Sequence, residues 1–118
     1  MIIELTEGGA PLADQVREQI RGLVTTGQLA AGERLPSVRQ LAHDLGIAPR
    51  TVAKAYKALQ SEGVLETRTG GGTRVGRAAT PTQLPVVEAA RSYAAQCRAA
   101  DADFDEAVRV LRAVWPVQ

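Results

Sequence analysis

Scarcity narrows the function of this chain before any motif is found. Its 118 residues hold one cysteine, Cys97, together with one Phe, one Trp and two Tyr. A lone cysteine excludes an intramolecular disulfide and any site built on several thiolates, and it suits a reducing, cytoplasmic setting. With so few aromatic side chains the core must be assembled from Leu, Val, Ile and Ala. Such a core is thin at this length, and burial shared between subunits would help stabilise it. The opening Met1-Ile2-Ile3-Glu4-Leu5 has no basic region leading into an apolar run, so no signal peptide is expected. No stretch approaches the roughly 18 apolar residues that a bilayer-spanning helix needs, and no membrane partner is expected.

Charge is balanced in total and polarised along the chain. Residues 1–33 carry two arginines against five acidic residues, net −3. Residues 34–77 carry eight Lys and Arg (Arg34, Arg39, Arg50, Lys54, Lys57, Arg68, Arg74, Arg77) against Asp44, Glu62 and Glu66, net +5. Residues 78–118 return to −1. A polyanion responds to the face presented to it rather than to the sum, so the central segment is the candidate nucleic-acid surface, with an ordinary solvated surface as the alternative.

Periodicity places the elements. Ile2, Ile3 and Leu5 suit a short strand or a packed arm. Pro11 suits a first helical turn, and Leu12, Val16, Ile20, Leu23 and Val24 make one apolar stripe that stops near Gly27. Residues 29–36 read as a loop anchored by Leu29 and Leu35. Ser37, with Gln40 three residues on, predicts a capping box at the start of a second helix whose inner face is Val38, Leu41, Ala42 and Leu45. Gly46 permits a sharp exit, and Pro49 opens a third helix over about 49–62 with Val52, Tyr56 and Leu59 inward. Val64 and Leu65 begin a strand, residues 69–72 turn, and Thr73-Arg74-Val75 return. Residues 77–83 form a linker. Two more helices follow, one from about Pro85 with Val86, Val87, Ala90, Tyr93, Ala94 and Cys97 on a broad face. The other is capped by Asp103 with Glu106 reciprocal, and it carries Phe104, Val108, Leu111 and Trp115.

The expected fold is therefore mainly α with a small β-wing. Residues 1–76 form a winged helix-turn-helix domain, 77–83 a linker, and 84–118 a two-helix dimerisation region. Val87, Ala90, Tyr93, Ala94, Phe104, Val108, Leu111 and Trp115 are the candidate dimer contacts, because two helices in so short a tail cannot bury both apolar faces alone. Folding back on the first domain is the other solution. A helix about 10–12 Å wide fits the major groove of double-stranded DNA and presents its N-terminal residues to the base edges. Arg50 becomes the candidate for a bidentate contact to guanine, and Thr51 for a thymine methyl or a phosphate.

Residues 11–76 closely resemble the DNA-binding domain of the GntR family of bacterial repressors. The resemblance is carried by Pro11 to Val16, Gly27 to Ala42 (with Leu35-Pro36-Ser37 inside it), Leu45-Gly46-Ile47, Arg50-Thr51-Val52, Ala55-Tyr56, Leu59, Glu62-Gly63-Val64-Leu65 and Gly70-Gly71-Gly72-Thr73. It implies that Ser37 and Arg39 bind phosphate at the groove edge. It places Pro49, Arg50, Thr51 and Lys54 on the recognition helix, and it sends Arg68, Thr69, Gly71 and Thr73 to the adjacent minor groove or its backbone. Arg74 joins Arg39 and Arg68 as a phosphate neutraliser on charge grounds. Many relatives carry Asn where Arg50 stands and others Arg where Pro49 stands, so no relative's operator transfers. Arg34 and Lys57 stay open between solvated or intradomain roles and DNA. Most members have a large effector-binding C-terminal domain, whereas the short tail here is similar to the YtrA-like subgroup with its helical dimerisation unit.

The implied function is a cytoplasmic homodimer that binds an inverted-repeat operator, with repression preferred through the resemblance. The rival is a protein–protein interaction module using the last two helices, with weak or no specific DNA binding. No enzyme is expected, for no nucleophile, base and orienting group come together. The triple glycine lacks the Lys-Ser or Lys-Thr of a phosphate loop and precedes a strand. His43 reads as a surface or domain-edge histidine and Cys97 as packing. Asp101, Asp103, Asp105 and Glu106 lack calcium-loop spacing. No cofactor is expected; an unidentified small-molecule effector between subunits stays open.

Overall fold

Pro11 stands at the N-cap of α1 (Leu12–Thr25), where its carbonyl accepts from the Gln15 N–H at 3.1 Å and its own missing N–H costs nothing. Val16, Ile20 and Val24 are buried at the four-residue spacing of one helical face. Leu23 is half-buried beside them, whereas Leu12 is exposed, so the buried stripe begins one turn later than the sequence pattern predicts. The computed structural model describes residues 1–77, 79 and 81–116. Its element order is α1, α2 (Val38–Leu45), α3 (Pro49–Ser61), β1 (Leu65–Arg68), β2 (Gly72–Val75), α4 (Leu84–Ala99) and α5 (Phe104–Val114).

α2 is capped by the Ser37 hydroxyl, which accepts from the Gln40 N–H at 3.1 Å. The reciprocal half of the expected capping box does not form. The Gln40 side chain donates forward to Asp44 Oδ1 at 2.8 Å, which gives it a charged acceptor instead of a backbone N–H. Gly46 closes the helix in the left-handed region at φ 66°, where a Cβ would strain the turn. Ile47 donates its N–H to Ala42 O at 3.1 Å, and Pro49 then opens α3. α3 buries Val52, Ala55, Tyr56 and Leu59.

β1 and β2 pair antiparallel, Leu65 opposite Val75 and Arg68 opposite Gly72. A third extended piece lies along β2. Leu35 N–H donates to Thr73 O and Val75 N–H to Glu33 O, both at 2.8 Å, and Arg34 bridges to Arg74. The sequence reading made this segment a loop; three residues between Gly32 and Pro36 are too few to show alternation. Gly76 closes the wing against the Gly63-Val64 segment that leads into β1: a Cβ there would sit 2.5 Å from Gly63 O.

The N-terminal residues form an arm rather than a strand. Ile3 is buried and Leu5 half-buried, while Ile2 faces solvent. Gln15 and Gln19, one turn apart on α1, use their amides as a sheet edge would use its backbone. Gln15 accepts from Thr6 N–H at 2.8 Å and donates to Thr6 O at 2.9 Å; Gln19 accepts from Glu4 N–H at 2.8 Å and donates to Glu4 O.

The chain divides into two compact units, Met1–Thr82 and Gln83–Gln118. The expected linker is partly docked on the first of them, since Ala79 packs on its core and Thr82 N–H donates to Thr25 O at 2.7 Å. Ala78 and Thr80 of that linker, and the last two residues of the expected 84–118 region, lie outside the described residues. In the second unit the Asp103 carboxylate accepts from Glu106 N–H at 2.9 Å, as predicted for the cap of α5. α4 ends through Asp101 at φ 59°, a left-handed position that Asp tolerates, with Ala102 N–H returning to Cys97 O at 2.9 Å. Tyr93 Oη donates to Ala107 O at 2.7 Å and ties the two helices.

Candidate nucleic-acid interface

The inward face of α3 fixes what its other face can do. With Val52, Ala55, Tyr56 and Leu59 in the core, Pro49, Arg50, Lys54 and Lys57 are exposed and Thr51 is half-buried. Arg50, Lys54, Lys57 and Arg39 have no acidic partner among the described residues. Glu62, an acid at the far end of α3, is held by Arg21 at 2.6 Å, and the same hydrogen bond raises the Arg21 pKa. The N-terminal edge of α3 thus keeps unpaired cations where a major-groove reader needs them.

Two contacts tie neighbouring segments to α3. Tyr56 Oη donates to Pro36 O at 2.7 Å, anchoring the approach to α2 and hence the exposed Ser37 and Arg39. Burial pushes the Tyr56 phenol up to about 12, so it stays a neutral donor. At the other end Gln60 Nε2 donates to Thr67 Oγ1 at 2.5 Å, which joins α3 to the wing. The sequence marked Tyr56 as core and missed its hydroxyl's partner, and it gave no signal for the Gln60–Thr67 link.

In the wing, Arg68 and Thr69 are exposed, and Gly71, Thr73 and Arg74 are half-buried. Arg68 leans on Glu66 at 3.3 Å, and Arg74 gives one N–H to Gly32 O at 3.2 Å. Neither is therefore the wholly free cation that the charge count suggested. A shallow depression beside the turn is lined by Glu66, Arg68, Gly70, Gly71, Arg74 and Arg77.

The candidate dimer residues divide. On α4, Val87 is buried, Tyr93 is half-buried, and Ala90 and Ala94 are exposed. On α5 no residue is buried: Phe104 is 80% exposed, Leu111 45%, and Trp115 just beyond the helix 65%, with Val108 half-buried. Val108, Leu111, Arg112 and Trp115 line an apolar groove. His43 is exposed and Cys97 half-buried. Among the described residues no group of three or more His, Cys, Asp and Glu is placed to hold a metal ion, and no helix is long and apolar enough to cross a membrane.

The sequence profile of the bacterial regulatory proteins of the gntR family matches residues 12–75, more than half of the chain. The chain belongs to the GntR family. It is similar to the HTH-type transcriptional regulator Rv1152 of Mycobacterium tuberculosis, 42% identical over 105 residues that span 89% of this chain and 86% of that one. Among solved structures it resembles YtrA from Sulfolobus acidocaldarius, a GntR-family transcription factor, at TM-score 0.60 and 30% identity over 81% of this chain and 99% of that one. It also resembles the DNA-binding domain of AraR in complex with operator ORX1, at TM-score 0.55 and 30% identity over 64% of this chain and 92% of that one. This GntR chain is thus a DNA-binding transcription regulator of YtrA-like type, built on a winged helix-turn-helix, in a family that regulates rather than catalyses.

Proposed function

We propose that this GntR-family regulator works in the cytoplasm as a homodimeric repressor that reads an inverted-repeat operator in double-stranded DNA. The observation that carries the reading is that Pro49, Arg50 and Lys54 on α3 are exposed above a closed core, the two cations without an acidic partner among the described residues. Arg50 reads guanine through O6 and N7, and Thr51 and Lys54 extend the contact along the groove. Ser37, Arg39, Arg68 and Arg74 hold phosphates, and Thr69, Gly71 and Thr73 bring the wing to the adjacent backbone or minor groove. Two copies join through α4 and α5, where Leu111, Phe104 and Trp115 would lose water-exposed apolar surface. Any small-molecule effector would bind between subunits, beside the apolar groove of Val108, Leu111, Arg112 and Trp115 at α5.

Selection of bound duplexes from a random library, followed by footprinting of the winner, tests this. Two inverted half-sites on one face of the duplex are the expected result. No sequence preference from folded, dimeric protein would overturn it. The exposed α5 face also suits a module that binds another protein. A stable monomer in sedimentation that co-purifies with one partner would favour that second reading. Repression rests on kinship alone, and a reporter that falls silent when the gene is deleted would overturn it.

A further inference from the structure

The outward side of the wing joins Arg74, placed above among the phosphate contacts, to Arg34, whose role the sequence leaves open. Arg34 bridges to Arg74, and Arg74 pairs with Glu66 across β1 and β2. Residues paired across a sheet leave it on the same face, so the three make one row. Leu35, Val75 and Leu65, the next residues along each strand, are buried, so alternation turns the row away from the core.

Within that row two cations are neighbours, and like charges placed opposite one another destabilise a sheet. The one carboxylate is already occupied: Glu66 accepts from Arg68 at 3.3 Å and from the Arg77 N–H at 3.4 Å. Among the described residues Arg74 gives one N–H to Gly32 O, leaving the rest of its fork. Arg34 is exposed and has no acidic partner among the described residues. Its guanidinium lies over the backbone of Gly72, with Nε and Nη2 both 3.2 Å from the place a Cβ there would take. A planar fork resting on bare backbone, with unspent donors and a second arginine beside it, matches the geometry that grips a phosphate.

We propose that Arg34 and Arg74 form a clamp for one backbone phosphate of the duplex, a deepening that rests on the regulator reading above. The phosphate cancels the repulsion between the two cations, and the contact selects no sequence. The rival role for Arg34 is a prop for the Gly72 turn. The two differ in sign, because removing a prop lowers the melting temperature, whereas removing one of two repelling cations leaves it unchanged or raises it.

The experiment compares full-length parental protein with Arg34→Gln and Arg34→Lys. It reads the melting temperature without DNA, and affinity for selected and scrambled duplexes across a salt series. The clamp predicts an unchanged or higher melting temperature for Arg34→Gln. It also predicts a loss of affinity of roughly threefold to tenfold on both duplexes, and a salt slope shallower by about 1, with Arg34→Lys restoring the slope but only part of the affinity, because it keeps the charge and lacks the fork. Unchanged affinity and slope in Arg34→Gln, with parental protein binding normally, would overturn the clamp alone. A lower melting temperature whose loss accounts for the weaker binding would assign the prop instead. Parental protein that binds no duplex would overturn the clamp and the regulator reading together. Inorganic phosphate at matched ionic strength separates a free ion from the phosphodiester. If it raises the melting temperature of the parent but not of Arg34→Gln, while the DNA salt slopes coincide, the pair serves a free anion and the duplex assignment fails.

Discussion

The two units of this chain dispose of their apolar residues in opposite ways. In Met1–Thr82, fourteen buried residues from every helix, the arm and the wing join in one cluster around Ile20, Tyr56 and Leu59. In Gln83–Gln118, α5 buries nothing, and Phe104, Val114 and Trp115 are 80%, 70% and 65% exposed. The first unit closes its own core; the second leaves apolar surface on α5 exposed, as the proposed dimer would require. Substitutions of the same chemistry should therefore change folding in one unit and assembly in the other.

The sharpest way to break that contrast is a matched pair of truncations. Leu59 is fully buried, so Leu59→Ala should cost about 2–5 kcal/mol of unfolding free energy in urea titrations. Leu111→Ala, made in protein dilute enough to be monomeric, should cost less than about 0.5 kcal/mol, as exposed sites do. Equal losses would mean that α5 is packed in the folded monomer. At dimer-forming concentrations the order reverses. Leu111→Asp should weaken association by about 2 kcal/mol or more, on the order of thirtyfold, read as a shift of the sedimentation midpoint with concentration. Trp115→Ala should act in the same direction, and unchanged sedimentation of both variants would remove α5 from the interface.

A comparison inside the first unit is next in size. Arg50→Ala should erase about 1–3 kcal/mol of discrimination between selected and scrambled duplexes, whereas Arg39→Ala should weaken both alike. Binding titrations on the two duplexes decide it; the same loss from each variant on each duplex would dissolve the division between reading and holding.

How much of this was legible in advance depends on how local each signal was. The helix-turn-helix was readable because Ser37, Gly46 and Pro49 act within a few residues of their own positions, as cap, exit and first turn. The recognition edge followed, since Val52, Tyr56 and Leu59 left Arg50 and Lys54 nowhere to point but outward. The third extended piece at Arg34 was not readable, because its pairing partner Arg74 is forty residues away and three residues show no period. Gln15 and Gln19 were invisible for a related reason: a glutamine on a helix announces no partner, and theirs is the backbone of a separate arm. Asp101 was read as part of an acidic cluster, while its left-handed φ gives it a turn-forming role.

Tyr56 offers a smaller test with a pH signature. Tyr56→Phe leaves Pro36 O without its 2.7 Å donor and should cost about 1–2 kcal/mol at neutral pH. The phenol's pKa is raised to about 12 in the folded protein, against about 10 in an unfolded chain. The folded state therefore keeps the proton longer, and the parental advantage over the variant is complete below about pH 10 and shrinks as pH climbs toward 12. Urea titrations of both proteins across that window measure the gap; a gap that stayed constant would mean the phenol is exposed, and one that widened would mean the folded state favours the phenolate.

The smallest expected effect belongs to the arm, and it separates local from global stability. Gln15 takes the Thr6 N–H and donates to Thr6 O and Ala10 O, all at exposed positions where water competes for the same groups. Each such bond contributes about 0.5–1.5 kcal/mol at most, and water recovers part of it when the amide is removed. Gln15→Ala should therefore speed hydrogen exchange at Thr6 severalfold while shifting the urea midpoint far less than Leu59→Ala. Ile3 stays inserted in the core and keeps the arm's first half in place, so exchange at Glu4, which is held by Gln19, should change little. If Gln15→Ala lowered global stability as much as Leu59→Ala, the arm would be part of the cooperative core rather than a strap upon it, and the contrast between closed core and peripheral segments would have to be redrawn inside the first unit.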